Sequence, residues 1–204
     1  MYKLNEELKK YIKDNFDKQE LSPPLFYNTE LGIRFELGED SPYIEEKHYM
    51  NRVYYRSITL FKEIFSFNDS IYLVWFVKPD RKMKATGVLK KYIKNSALKY
   101  CLSVEKIRRE GEVFLKMALK CHVKDIKIEK MLEAIANQDM NIHPKLGCEC
   151  YFINTKKKII YYMYDDRGLD VVANSVDKLI PIYKQYSEWV LPYDKKEIIS
   201  KLGL

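Results

Sequence analysis

The sequence predicts a single α+β domain over residues 1–204, with helices packed on an antiparallel sheet. Three observations lead there. From Cys148 to Ala173 the chain holds three strand-like runs separated by short polar turns, the pattern of a β-meander. Several other segments carry apolar residues at helical spacing. No internal repeat, low-complexity tract or long linker divides the chain, and 47% hydrophobic residues among 204 can fill one core without disulfides.

The elements follow in order. Leu4, Leu8, Tyr11, Ile12 and Phe16 recur at helical spacing, so residues 2–16 read as a helix, and Ser22-Pro23-Pro24 ends it. After Asn28-Thr29, Ile33, Phe35 and Leu37 alternate with Gly32, Arg34 and Glu36 as in a half-buried strand. A charged loop through Ser41-Pro42 follows. From Glu45 to Phe65, Tyr49, Val53, Ser57, Leu60, Phe61, Ile64 and Phe65 share one face of a long helix, with Arg52, Arg56, Thr59 and Glu63 opposite. Asn68-Asp69-Ser70 punctuates it, and Ile71–Val77 reads as a strand covered on both faces.

Next, Val88, Leu89, Tyr92, Ile93, Ala97 and Tyr100 share the apolar face of a basic amphipathic helix, with Lys90, Lys91, Lys94 and Leu98 opposite. Residues 112–120 alternate as a strand. Asp125 is the expected N-cap of a helix presenting Ile128, Met131, Leu132 and Ile135, and 137–147 is loop. The meander runs over 148–154, 158–164 and 169–173. Asn174 or Ser175 then caps a helix with Val176, Leu179, Tyr183, Tyr186 and Val190 inward; Pro181 should make its first turn irregular. Pro192 is expected to stop it, and Asp194 to begin a last helix through Leu202. A basic insertion over 78–110 is the alternative to a seamless domain.

The net charge of +7 is uneven. Residues 78–130 hold sixteen Lys/Arg and six Asp/Glu, an excess of ten that leaves the rest of the chain at minus three. Such a segment attracts nucleic acid, an anionic surface or an acidic protein. For nucleic acid the contacts would be Arg81, Lys82, Lys84, Lys90, Lys91 and Lys94, with Tyr92 or Tyr100 available to stack. Against this, both tyrosines belong to the apolar face of the expected helix and should be buried. Lysine-rich helix faces are also commonly just solvated.

Other signals exclude. The apolar run Ile71–Val77 stops at Lys78, far short of the roughly 20 residues a bilayer span needs. The N-terminus lacks the apolar core of a secretory signal, so a cytoplasmic location is expected. Cys101, Cys121, Cys148 and Cys150 form no CxxC pair and read as free thiols. Cys121-His122 with Cys148 and Cys150 are the only zinc candidates, and buried strand cysteines are the commoner case. Walker, GxGxxG, HExxH and GxSxG patterns are all absent; no cofactor and no metal is expected.

The most distinctive stretch is Tyr164-Asp165-Asp166-Arg167-Gly168. Read structurally, it is a hairpin loop in which an aspartate bonds the turn backbone and Gly168 takes a positive φ. Asp170 would pair with Arg167 across the turn. Read catalytically, Asp165 and Asp166 would hold a cation or act as acid and base, with Arg167 on a phosphate or carboxylate and Asp170 nearby. An active site gathers further acids, a lysine or a histidine, and His48, His122 and His143 are isolated. A turn presenting Tyr164, Asp165, Asp166 and Arg167 for binding is the favoured reading.

These residues also carry a resemblance. Tyr151-Phe152-Ile153-Asn154, Tyr164–Asp170, Ile182-Tyr183 and Ser187-Glu188-Trp189-Val190, with Asn137-Gln138-Asp139 ahead of them, resemble an uncharacterised bacterial family, domain of unknown function 3885. The resemblance is most specific over 126–200 and extends to Phe26-Tyr27-Asn28 and the strand after it. It implies a shared fold and no activity.

The expected function is therefore a non-enzymatic, cytoplasmic protein-binding module in the style of immunity and antitoxin proteins, its partner another protein such as a toxin. Seventeen tyrosines supply interface material, unless they line the core edge with wet hydroxyls. The alternatives are nucleic-acid binding through the basic segment and a metal-dependent enzyme using Asp165 and Asp166.

Overall fold

The computed structural model describes residues 2–16, 20–38, 45–79 and 87–204. In chain order the elements are α1 (Tyr2–Asn15), β1 (Gly32–Glu36), α2 (Glu46–Ile64), β2 (Ser70–Val77), α3 (Gly87–Tyr92), β3 (Ser103–Arg109) and β4 (Glu112–His122). Then come α4 (Ile128–Ala136), β5 (Glu149–Asn154), β6 (Ile159–Met163), β7 (Gly168–Ala173), α5 (Val176–Tyr186) and α6 (Pro192–Leu202). Among the described residues, seven strands form one antiparallel sheet in the order β1-β7-β6-β5-β2-β4-β3. The α+β class is as expected.

Each face of the sheet carries its own core because strand side chains alternate. Phe35, Leu73, Trp75, Phe152, Tyr161 and Val171 pack beneath α2 and α4. On the other face Tyr72, Val74, Phe76, Tyr151 and Tyr162 pack with Leu8 and Ile12 of α1. Strand β2 lies between β4 and β5 and is buried from Ile71 to Val77, which explains its uninterrupted apolar run. Ser57 is tolerated on the buried face of α2 because its hydroxyl donates back to the Tyr54 carbonyl at 3.1 Å; its own backbone carbonyl accepts the Tyr161 hydroxyl at 2.9 Å, while Phe61 sits edge-on to Phe152 and Tyr161.

Several sequence expectations are corrected. The basic helix does not run to Tyr100. It ends at Tyr92, because the Lys94 N–H goes to the Asp125 carbonyl (2.7 Å) and the Lys127 N–H to the Tyr92 carbonyl (2.8 Å), pairing Ile93 with Ile126. Asn95 then caps a 3-10 turn, Ser96–Cys101, by accepting from the Ala97 N–H. Tyr92 is buried as expected, but Tyr100 is 80% exposed. Residues 103–109 form an edge strand whose charges disguise its alternation; such charge protects a free edge.

Asp125 does not cap α4. Its carboxylate accepts the His122 N–H (3.0 Å) at a short turn, and Lys127 holds the N-cap position without a side-chain bond to the helix's first turn. Pro181 lies inside a continuous α5, six positions in, at the cost of one backbone bond. Pro192 starts α6 rather than stopping α5, since a first-turn residue needs no N–H partner. Tyr72, Tyr92, Tyr151, Tyr161, Tyr162, Tyr183 and Tyr186 are buried, so much of the tyrosine content is core material. The loop through Ser41-Pro42 lies outside the described residues.

Candidate functional site

Antiparallel pairing of β6 with β7 makes Tyr164–Arg167 a hairpin loop, closed by the Tyr164 N–H on the Gly168 carbonyl at 3.3 Å. The two acids of the loop point inward. Asp165 is 4% exposed; its Oδ1 accepts the Arg167 backbone N–H at 2.8 Å and its Oδ2 accepts Arg167 Nε at 2.9 Å and Nη2 as well. Asp166 is 6% exposed and accepts the Tyr49 hydroxyl at 2.7 Å. Burial holds the Asp166 pKa above the ordinary aspartate value, against the Tyr49 bond that lowers it. What reaches solvent is Arg167, whose side chain is 70% exposed and lies 3.5 Å from Asp139.

Gly168 has a physical reason other than the positive φ expected of it. Its φ lies outside the left-handed region, and a Cβ there would fall 2.2 Å from the Tyr164 hydroxyl and 2.6 Å from the Phe35 carbonyl. The site needs hydrogen where any other residue has carbon, because β1 and Tyr164 close over it.

Asp170 does not pair with Arg167. Its side chain leaves β7 towards α1's side of the sheet and meets Arg34 of β1, its register partner. Arg34 Nε donates to Oδ1 at 2.9 Å and Nη2 to Oδ2 at 3.2 Å; the Phe26 N–H donates to Oδ2 at 3.0 Å. Burial raises the Asp170 pKa, opposed by Arg34. The Arg34 guanidinium lies over Tyr27, Tyr164 and Phe26 at 4.5, 5.4 and 5.7 Å, and the Tyr27 hydroxyl donates to Asp194 of α6 at 2.7 Å.

The segment after α4 braces the hairpin from the other side. Gln138 Nε2 donates to the Tyr164 carbonyl at 2.8 Å while its Oε1 accepts the Cys148 N–H at 3.1 Å. Asn137 accepts the Tyr54 hydroxyl at 2.7 Å and donates to the Pro144 carbonyl at 3.1 Å. Thus Phe26-Tyr27, Asn137-Gln138-Asp139 and Tyr164–Asp170 converge in space.

Two surface pockets share Tyr164 as a wall. One, of about 380 Å³, is lined by Pro23, Pro24, Arg34, Tyr162, Asp165 and Arg167. The other, of about 420 Å³, includes Lys78, Gln138, Asp139, Lys145 and Glu149. No histidine lines either, and among the described residues no group of three His, Cys, Asp or Glu is arranged for a metal.

Of the nucleic-acid candidates, Lys90, Lys91 and Lys94 are exposed, and Arg81, Lys82 and Lys84 lie outside the described residues. Sequence reasoning missed Arg34, Tyr49 and the bracing role of Gln138. Arg34 occupied the polar side of a half-buried strand, and nothing local distinguishes such an arginine from a solvated one. Among the described residues no helix is long and apolar enough to cross a membrane.

A family model described as a domain of unknown function, DUF3885, matches residues 8–194. The chain is also similar to a Bacillus subtilis (strain 168) protein named uncharacterized protein YnaE, 30% identical over 205 residues, covering 90% of this chain and 96% of that one. No solved structure matches.

Proposed function

The chain belongs to the DUF3885 family, and on that premise we propose that it is a non-enzymatic protein-binding module of the cytoplasm, covering a partner's surface as immunity and antitoxin proteins do. One observation carries this reading. The buried Asp165 grips Arg167 through backbone and guanidinium, so an exposed arginine is held in one orientation beside Tyr164, Pro23 and Pro24. A pre-organised arginine loses less entropy on contact than a free one, and arginine and tyrosine are enriched among residues that dominate interfaces.

The same bonds argue against acid-base chemistry at the motif. Asp165, Asp166 and Asp170 each accept hydrogen bonds from groups that hold the fold together, rather than facing a common reacting point.

The test is capture from a lysate of the source organism on the immobilised full chain, with Arg167→Ala beside it. The expected result is a stoichiometric protein, resistant to nuclease and retained about tenfold less by Arg167→Ala, as for loss of one well-placed interface arginine. Retention of nuclease-sensitive material alone, or equal retention by both proteins, overturns the reading.

A second reading has its own observation. Tyr100 is exposed with Lys99 Nζ 4.8 Å from its ring centroid, and the preceding segment exposes Lys90, Lys91 and Lys94, a combination that suits single-stranded nucleic acid. That reading expects retention to fall steeply with salt.

A further inference from the structure

Away from the hairpin, the end of α2, the turn after it and the start of α4 enclose a groove of about 450 Å³. Its floor is apolar: Phe61, Phe65, Val123 and Ile126 are all buried. Its rim is cationic, with Lys62, Lys94, Lys127 and Lys130 against Glu129, the one acid of the lining. Lys62 pairs with Glu129 at 2.7 Å. The ammonium groups of Lys94 and Lys127 rest on the backbone carbonyls of Lys124 and Lys91. Among the described residues, Lys94, Lys127 and Lys130 have no carboxylate partner.

Phe67 forms a wall of this groove and is 66% exposed. The turn that carries it is tightly tied. The Asp69 carboxylate accepts the Ser66 N–H at 2.9 Å; the Phe67 carbonyl accepts the Lys124 N–H at 2.9 Å and the Asp69 carbonyl the Val123 N–H at 3.0 Å. A phenyl side chain is thereby presented to water from an anchored turn, beside an apolar floor and surplus positive charge.

We propose that this groove docks an acidic segment of the partner protein, its apolar side chain seated on the floor against Phe67 and its carboxylates on Lys94, Lys127 and Lys130. This second contact rests on the protein-binding reading above and names the chemistry of the partner. Charge complementarity selects an anion. The floor then discriminates between anions: a base could stack on Phe67, but one seated on the floor would set its polar ring edges on side chains that offer no hydrogen bond, at a desolvation cost that opposes the stacking. An aliphatic or aromatic side chain meets no such cost and gains by its burial.

The probe is a fluorescein-labelled peptide of alternating glutamate and phenylalanine, titrated into the full chain by fluorescence anisotropy, alongside oligoglutamate and oligothymidylate of equal charge. The mixed peptide is expected to bind saturably. Oligoglutamate should bind at least about tenfold more weakly, having lost the apolar anchor. Phe67→Ser and, separately, Lys94→Glu with Lys130→Glu should each weaken the mixed peptide by about tenfold; these side chains are exposed, and an unchanged thermal transition checks the fold. Preference for oligothymidylate, absence of peptide binding, or binding indifferent to both variants overturns the proposal. The titration needs no native partner, so an empty lysate capture would overturn the broader reading without deciding the titration.

Discussion

Arg34 and Asp170 stand opposite one another in the β1–β7 ladder, 136 positions apart, and join through two hydrogen bonds with the carboxylate wholly buried. Removing one partner strands the other charge in the interior. Arg34→Ala is expected to cost about 3–5 kcal/mol, read as a drop in the urea midpoint. Arg34→Lys should recover only part, since an ammonium cannot make the forked contact. Full stability in Arg34→Ala would mean that water reaches and solvates Asp170.

Gly168→Ala tests the close approach of β1 and Tyr164. The added carbon would meet the Tyr164 hydroxyl and the Phe35 carbonyl, and the tyrosine can swing but the backbone cannot. A loss of about 1–3 kcal/mol in chemical denaturation is expected, with Tyr164→Phe in the same chain relieving little of it because the Phe35 contact persists.

Two carboxylates should respond to pH with opposite signs. The folded Asp166 pKa is raised, chiefly by burial. Its contribution is therefore fullest below the ordinary aspartate pKa and declines as pH rises through the raised value. Glu7 is the reverse: bonds from Lys120 and Tyr72 lower its pKa, so its contribution is complete above the ordinary glutamate pKa and is lost as pH falls through the lowered value. Between about pH 3 and about pH 7, Asp166→Asn should gain stability relative to the parent and Glu7→Gln should lose it, by urea midpoints at each pH. Parallel shifts of the two variants would contradict this assignment.

The thiols should divide one against three. Cys101 is exposed, whereas Cys121, Cys148 and Cys150 are buried. Burial pushes the Cys121 thiol up to about 12 and raises Cys150 well above its ordinary value, which suppresses the reactive thiolate. A colorimetric disulfide reagent should label one thiol per native chain quickly and the rest only on unfolding. Rapid labelling of Cys150 would show that β5 opens there.

How much was legible depended on range along the chain. The period-2 run 32–37, the long face from Val53 to Ile64 and the three meander strands were readable because each pattern repeats within a few residues. The edge strand 103–109 was not, since alternating charge at a free edge looks like loop. The basic helix was overextended because residues 92–94 bond to 125–127, a pairing that competes with helix and lies beyond any local window.

The hairpin divides along the same line. The sequence by itself determined that Asp165–Gly168 turns and that an aspartate bonds the turn, both consequences of local chain geometry. Only the tertiary structure decided that Asp170 belongs to Arg34, that Asp166 meets Tyr49 and that Gly168 is required by Phe35. The reason is register: side-chain partners across a sheet are chosen by which strands pair and in what alignment, and that choice minimises the free energy of the whole sheet, not of any segment.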